Sequence, residues 1–415
     1  MRPALLCGVG VVLICGVGLA GEGWSEFRGP GGQRHAPRAR HLPGEWSTTQ
    51  NVTWAVDVPG LGWSSPAVVD GRIYLTTAVP DGDGLEAEQS LRALCLEAAT
   101  GKTLWNVEVF RQPQDKVHKK NSHASPTAIV DGGQVFVHFG THGTASLSLD
   151  GQILWMNREL TYVPTHGNGG SPALVGDRLV LCCDGADIQF VVALDRRTGK
   201  IVWKTDRPED AGGPGFSFST PLAIEIGGKT QVICPGSNVV IAYNPADGTE
   251  IWQVRYKGYS VIPRPVYGHG LVFVCTGYNT PTLLAIRPDG AGDVTETHVE
   301  WQTNRNAPHT PSPLLVGEAL YFVSDRGVAR CVDAKTGELH WEKRLGGNYS
   351  ASPVYADGRI YLLSEQGEAI VLAPGIEYHE LARNAMDART LASYAVDGSA
   401  LFLRTDTQLY RIEAK

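Results

Sequence analysis

The sequence predicts an all-β chain folded as an eight-bladed β-propeller of four-stranded antiparallel blades. Seven tryptophans, Trp54, Trp105, Trp155, Trp203, Trp252, Trp301 and Trp341, recur at intervals of 51, 50, 48, 49, 49 and 40 residues. A period of that size marks a repeat architecture. Each interval also carries one grammar: a Ser-Pro-like opening, a short apolar run, a tight Gly turn, a second β-rich run, then Ala-Leu-Asp-x-x-Thr-Gly-x-x-x-Trp. It is clearest from Ser171-Pro172 to Ala193-Leu194-Asp195 and Trp203. Finally, no stretch reads as a long amphipathic helix, and four-stranded units repeated around an axis bury their faces against one another.

The elements follow in chain order. Arg2, the apolar run from Ala4 to Ala20 and the small-residue end Gly18-Leu19-Ala20 read as a cleaved secretory signal over 1–20. Ile14 before Cys15 is not the small residue that a lipoprotein signal needs. Residues 21–50 form a lead-in, and 51–415 the propeller. Blade openings fall at Pro66, Pro126, Pro172, Pro221, Pro265, Pro313 and Pro353, with a proline-less eighth near Ala392. Turns such as Asp70-Gly71, Gly176-Asp177 and Asp397-Gly398 supply the positive φ that hairpins need. A Gly stands four residues before the Trp at Gly101, Gly151, Gly199, Gly248 and Gly337; an insertion, Gly290 to Val299, interrupts the unit ending at Trp301. The last unit has strands but no closing Trp. The strand around Asn51-Val52-Thr53-Trp54-Ala55-Val56 is expected to complete it and close the ring, leaving no open edge.

With 42% hydrophobic residues and 49 glycines, the 415-residue chain can bury a large core and make many turns. Length alone suggests two or three domains; the repeat argues for one closed body, expected to be monomeric. No segment after residue 20 is apolar over the 18 or more residues of a membrane span. Net charge is −7, or −8 without Arg2, and no basic stripe is present, which argues against nucleic acid as partner. Six cysteines remain beyond the signal, Cys95, Cys182, Cys183, Cys234, Cys275 and Cys331, mostly inside apolar runs where they read as small buried hydrophobes.

The repeated Ala-Leu-Asp-x-x-Thr-Gly-x-x-x-Trp grammar resembles the PQQ-repeat superfamily of eight-bladed propellers, over roughly Asn51 to Lys415. The lead-in, with Trp24-Ser25-Glu26-Phe27-Arg28-Gly29-Pro30, Leu42-Pro43 and Trp46, resembles that of exported members. The resemblance implies that the seven tryptophans dock against the neighbouring blade. It covers two branches. BamB-like outer-membrane assembly proteins carry no cofactor, and this is the reading favoured here: a non-catalytic binding scaffold of the periplasm or cell envelope whose partners are envelope proteins. The alternative is the quinoprotein alcohol dehydrogenases, which hold pyrroloquinoline quinone (PQQ) and Ca²⁺ at the channel.

The dehydrogenase branch implies two adjacent cysteines ringed beside the quinone, and Cys182-Cys183 is such a pair. It ends an apolar strand, however, where alternation sends the two thiols to opposite faces. The branch also implies an Asp base and Glu, Asn and Asp ligands to a cation that wants six or more oxygens. Asp184 and Asp187 have a spacing that more often makes a turn, as does Asp81-Gly82-Asp83-Gly84. No catalytic residue and no metal ligand set is assigned.

The turns inside each blade are short, whereas the connections into the next blade are longer, and binding residues concentrate on such loops. The residues just before each opening proline are expected to ring the channel mouth. His123, His166, Asn168, Ser219, Arg264, His309 and Tyr349 are therefore the candidate ligand-binding set. Arg264 is the best anion-seeking group among them. The basic run Lys116 to Lys120 reads either as a solvated turn or as a contact for an acidic partner or lipid head group.

Overall fold

The computed structural model describes residues 23–82, 87–208 and 215–414. The predicted signal over 1–20 and the Asp83-Gly84 turn lie outside the described residues. The described chain forms eight β-sheets in a ring, each built on four antiparallel strands. Blades 1 to 7 occupy 67–113, 129–157, 173–206, 222–255, 266–303, 314–344 and 354–385. Blade 8 takes three strands from 395–413 and its outermost from Val52–Asp57, which pairs antiparallel with Gln408–Glu413 (Ala55 opposite Tyr410). The chain thus closes its own ring. Among the described residues no helix is long and apolar enough to cross a membrane.

Local sequence explains the hairpins. Asp70 (φ 49°) and Gly71 (φ 72°) join the first two strands of blade 1 with both central residues at positive φ, the turn whose twist suits flanking strands. The first strand of each blade is short and lies innermost, where neighbouring first strands meet. In blade 2 that strand is Ile129–Asp131, so the residue in register with the other opening prolines is Ala128. Pro126 lies two residues too early, and Thr127 takes the place that Ser65 holds in blade 1.

The outer rim is held by tryptophan. The indole N–H groups of Trp54, Trp105, Trp155, Trp203, Trp301 and Trp341 donate to carbonyls of the next blade at 2.9–3.1 Å. Against five of these rings sits the Gly of the next blade's Thr-Gly or Asp-Gly turn; a Cβ on Gly248 would stand 2.5 Å from Trp203. The motif glycine therefore serves the preceding blade's tryptophan rather than its own. Trp252 departs from the expected docking. The insertion replaces the Thr-Gly turn of blade 5, so Trp252 donates to Gln231 Oε1 of its own blade at 2.8 Å. The insertion's Gly292-Asp293 adds a parallel strand onto Trp252-Gln253 and leaves the indole 1% exposed. Blade 7 carries Ala382 in the Trp position. There Trp46 of the lead-in packs instead, stacked on Tyr361 and edge-on to Tyr394.

The lead-in threads the central channel. Gly23-Trp24 pairs antiparallel with the innermost strand of blade 1. Ser25 O accepts the Val130 N–H of blade 2 at 2.8 Å. Gln33 meets Tyr267 of blade 5, His35 Nε2 meets Leu315 O of blade 6 at 2.6 Å, and His35-Ala36 pairs with Tyr355-Ala356 of blade 7. The Arg40 N–H reaches Gly398 O of blade 8 at 3.2 Å. Buried polar backbone must find partners, and the innermost strand edges supply them. The channel is plugged by the protein's own N-terminal segment.

Candidate functional site

Above the plug the channel mouth opens as a cup of about 690 Å³. Its walls come from the connections into each next blade, with Phe27 of the lead-in in its lining. The inner ring is built from the residue before each blade's first strand. The N–H of Ser65 donates to Thr127 Oγ1, that of Thr127 to Ser171 Oγ, and that of Ser171 to Thr220 Oγ1, at 2.9–3.0 Å. The series resumes with the N–H of Arg264 to Ser312 Oγ, Ser312 to Ser352 and Ser352 to Ser393 at 3.0 Å, and closes with Ser393 to Ser65 Oγ at 3.2 Å. Seven of the eight blade junctions are thus latched by a hydroxyl. Between blades 4 and 5 the latch fails because Arg264 has no acceptor atom, and its Nε donates instead to Pro221 O at 3.0 Å.

One wall is aromatic. Ring contacts run from His118 to His166, Phe216, Tyr259, Tyr278 and His309, with centroids 5.2–5.6 Å apart. Burial, helped by the neighbouring His166 charge, lowers the His118 pKa below its ordinary value. The opposite side carries Trp63 beneath the Arg389 guanidinium and Lys120 bonded to Glu365 at 2.7 Å. The basic run is therefore part of the cup: its His118 and Lys120 both line it.

Of the seven candidate residues, His166 and His309 line the cup. His123 turns into the protein toward Asp115 O and His142. Asn168 bonds Tyr162 and Phe139 O behind the wall, and Ser219 bonds Pro263 O. Tyr349 is buried in the apolar cluster between blades 6 and 7. Arg264 points down into the plug, where Nη1 meets Glu26 Oε2 at 3.0 Å and Phe27 O at 2.6 Å. Sequence reasoning missed Phe216, Tyr259 and Tyr278 because aromatics in loops carry no periodic signal. It also missed the hydroxyl ring, although a Ser or Thr does precede most opening prolines and was there to be read.

The described residues around the cup do not fit a quinone with Ca²⁺. Cys182 and Cys183 are free thiols paired across to Val191 and Phe190 in a regular strand, so the vicinal ring is not formed. The two side chains join different inter-blade clusters, as strand alternation requires. Asp184 is not a turn residue: its carboxylate is buried against Arg207 at 2.7 and 3.1 Å and Ser217 at 2.6 Å. Asp187 accepts the Val163 N–H at 2.7 Å. Among the described lining residues Asp325 is the one carboxylate, and its oxygens are held by the N–H groups of His309 and Thr310 and the Thr310 hydroxyl. A hard dication asks for several free oxygens.

Ring, rim latches and self-plugged channel define the class: a closed eight-bladed propeller of PQQ-like repeats with a cup at its channel mouth. The family model described as outer membrane protein assembly factor BamB matches residues 45–182, 187–306 and 293–415, and the chain belongs to that family. It is 26% identical over 201 residues to outer membrane protein assembly factor BamB of Yersinia pestis, covering 44% of this chain and 49% of that protein. It is 24% identical to quinohemoprotein alcohol dehydrogenase ADH IIB of Pseudomonas putida, covering 89% of this chain and 55% of the relative. The chain thus spans about half the length of these curated relatives. The crystal structure of BamB from Moraxella catarrhalis superposes with a TM-score of 0.63 at 14% identity, over 88% of this chain and 97% of that one, which shows the shared fold.

Proposed function

We propose that this protein is a non-catalytic binding propeller of the cell envelope, a rigid scaffold that engages envelope proteins and acts as a monomer. The observation that carries the reading is the plugged channel. Its lead-in and hydroxyl latches make a closed platform with a cup lined by rings and hydroxyls at the channel mouth, where, among the described lining residues, the single carboxylate, Asp325, is held by the His309 and Thr310 N–H groups and the Thr310 hydroxyl. Membership of the BamB family supports the envelope assignment. The alternative, a quinone-dependent alcohol dehydrogenase, draws on the dehydrogenase relatives.

One titration separates the two. Purified protein is mixed with PQQ and Ca²⁺, and tryptophan quenching is followed alongside dye-linked alcohol oxidation. The scaffold reading expects no turnover and no Ca²⁺-dependent saturation; turnover would overturn it. Fractionation of cells followed by cross-linking should then recover the chain with an envelope protein.

A further inference from the structure

We propose that the floor of the cup binds the carboxylate of a small organic acid, whose apolar body lies against Phe216, Tyr259 and Tyr278. The proposal deepens the binding reading above and rests on it. Six hydroxyls line the floor: Ser65, Thr127, Ser171, Ser312, Ser352 and Ser393. Each oxygen already accepts a backbone N–H from the neighbouring blade. None of the six donates its own proton to any described residue. A hydroxyl carries one donor and two acceptor sites, so the latch consumes acceptor capacity and leaves six O–H donors converging on one surface. Such a surface favours a group made of acceptors.

Charge beneath the floor selects an anion over a neutral acceptor. Arg28 and Arg34 are fully buried in the plug and Arg264 is 2% exposed. They hold the ring from below: Arg28 donates to Arg264 O and Pro313 O, and Arg34 to Ser352 O. Arg34 also lies 5.4 Å from the centroid of Phe27, which lines the cup. Glu26, on Arg264, is the carboxylate facing them. Among the described residues, Nε of Arg28 and both Nε and Nη2 of Arg34 have no hydrogen-bond partner. Three guanidinium groups against one carboxylate leave uncompensated positive charge in a poorly screened interior. Burial and the Arg264 charge together press the Arg34 pKa down to about 9. A carboxylate on the hydroxyl floor would relieve that charge, and a cup of about 690 Å³ suits a small molecule.

Calorimetry with 2-naphthoate and 2-naphthylmethanol, which share a ring system and differ in the acid, tests this on the wild-type protein. The acid should bind at least about tenfold more tightly than the alcohol. Ser171→Ala/Ser352→Ala should weaken the acid about fivefold and leave the alcohol unchanged, while Ser352→Thr, which keeps a hydroxyl, should bind as wild type. Equal affinity for acid and alcohol, no binding of either at millimolar concentration, or an unchanged double variant would each overturn the proposal. If the double variant does not fold, the wild-type pair decides alone. Alcohol oxidation is not read in this experiment, so loss of acid preference and loss of the non-catalytic reading are told apart.

Discussion

The junction between blades 4 and 5 differs from the other seven at both radii. Elsewhere a hydroxyl accepts an N–H at the inner ring, and at six junctions a tryptophan donates to the next blade at the rim. At the seventh, between blades 7 and 8, Trp46 of the lead-in fills the rim. Between blades 4 and 5 the inner residue is Arg264 and the rim Trp252 bonds within its own blade. Two unrelated substitutes stand there: a guanidinium tied to the lead-in, and an inserted strand tied to the rim. The repeat thus specifies the average junction. A departure at one radius is tolerated where another segment supplies the missing hydrogen bonds and packing.

Three variants would break or sharpen that contrast. Trp203→Ala removes a regular rim contact and should cost about 3–5 kcal/mol, as large-to-small core changes do; an unchanged midpoint in urea unfolding would refute the docking role. Arg264→Ala strips Glu26 of its partner and leaves Pro221 O and Phe27 O unbonded, so a loss of roughly 3 kcal/mol is expected. Arg264→Ser restores the hydroxyl of the repeat and should recover about 1 kcal/mol of it in the same unfolding measurement. If both variants lose equally, the latch contributes nothing at this junction.

Acid tests blade 2, in the regular part of the ring. Burial lowers the His138 pKa to about 3, from 6.5 when unfolded. The neutral form is favoured in the folded state, so its stability contribution is complete above pH 6.5 and falls as pH drops toward 3. By pH 5 the loss should reach about 2 kcal/mol, and unfolding curves of His138→Gln should show a smaller pH dependence. The smallest effect separates two glycines of equal φ, +75°. Gly228 faces open space, whereas Gly248 faces the Trp203 ring. Gly228→Ala should cost about 1 kcal/mol from backbone strain alone, and Gly248→Ala about 1–3 kcal/mol more, read as melting temperatures.

The rim was legible because its signal is local: a tryptophan, and a glycine four residues ahead of the next one. Even so, the partnership of Gly248 with Trp203 crosses blades, and only packing revealed it. The cup was less legible. His166 and His309 precede their opening prolines and do face it, but Asn168, Ser219 and Tyr349 occupy comparable places and turn away. A side chain a few residues before a strand takes its direction from the loop's path, which spacing does not encode. Arg264 was expected at the channel mouth as an anion-seeking group; it points into the plug instead, and its partner there, Glu26, is 238 residues away.

By itself the sequence determined the ring. Eight repeats, short turns with positive φ and a detached strand before the first unit allow one closed arrangement, since strand pairing and blade burial are nearest-neighbour effects written into each repeat. What the tertiary structure decided was the interior of that ring. The lead-in fills the channel because the innermost strands expose edges and carbonyls that an extended segment can satisfy. Three arginines are buried there, and the channel becomes a cup rather than a pore. These outcomes rest on contacts between segments more than 200 residues apart, such as Arg28 with Pro313 and Arg34 with Ser352, which no periodicity records.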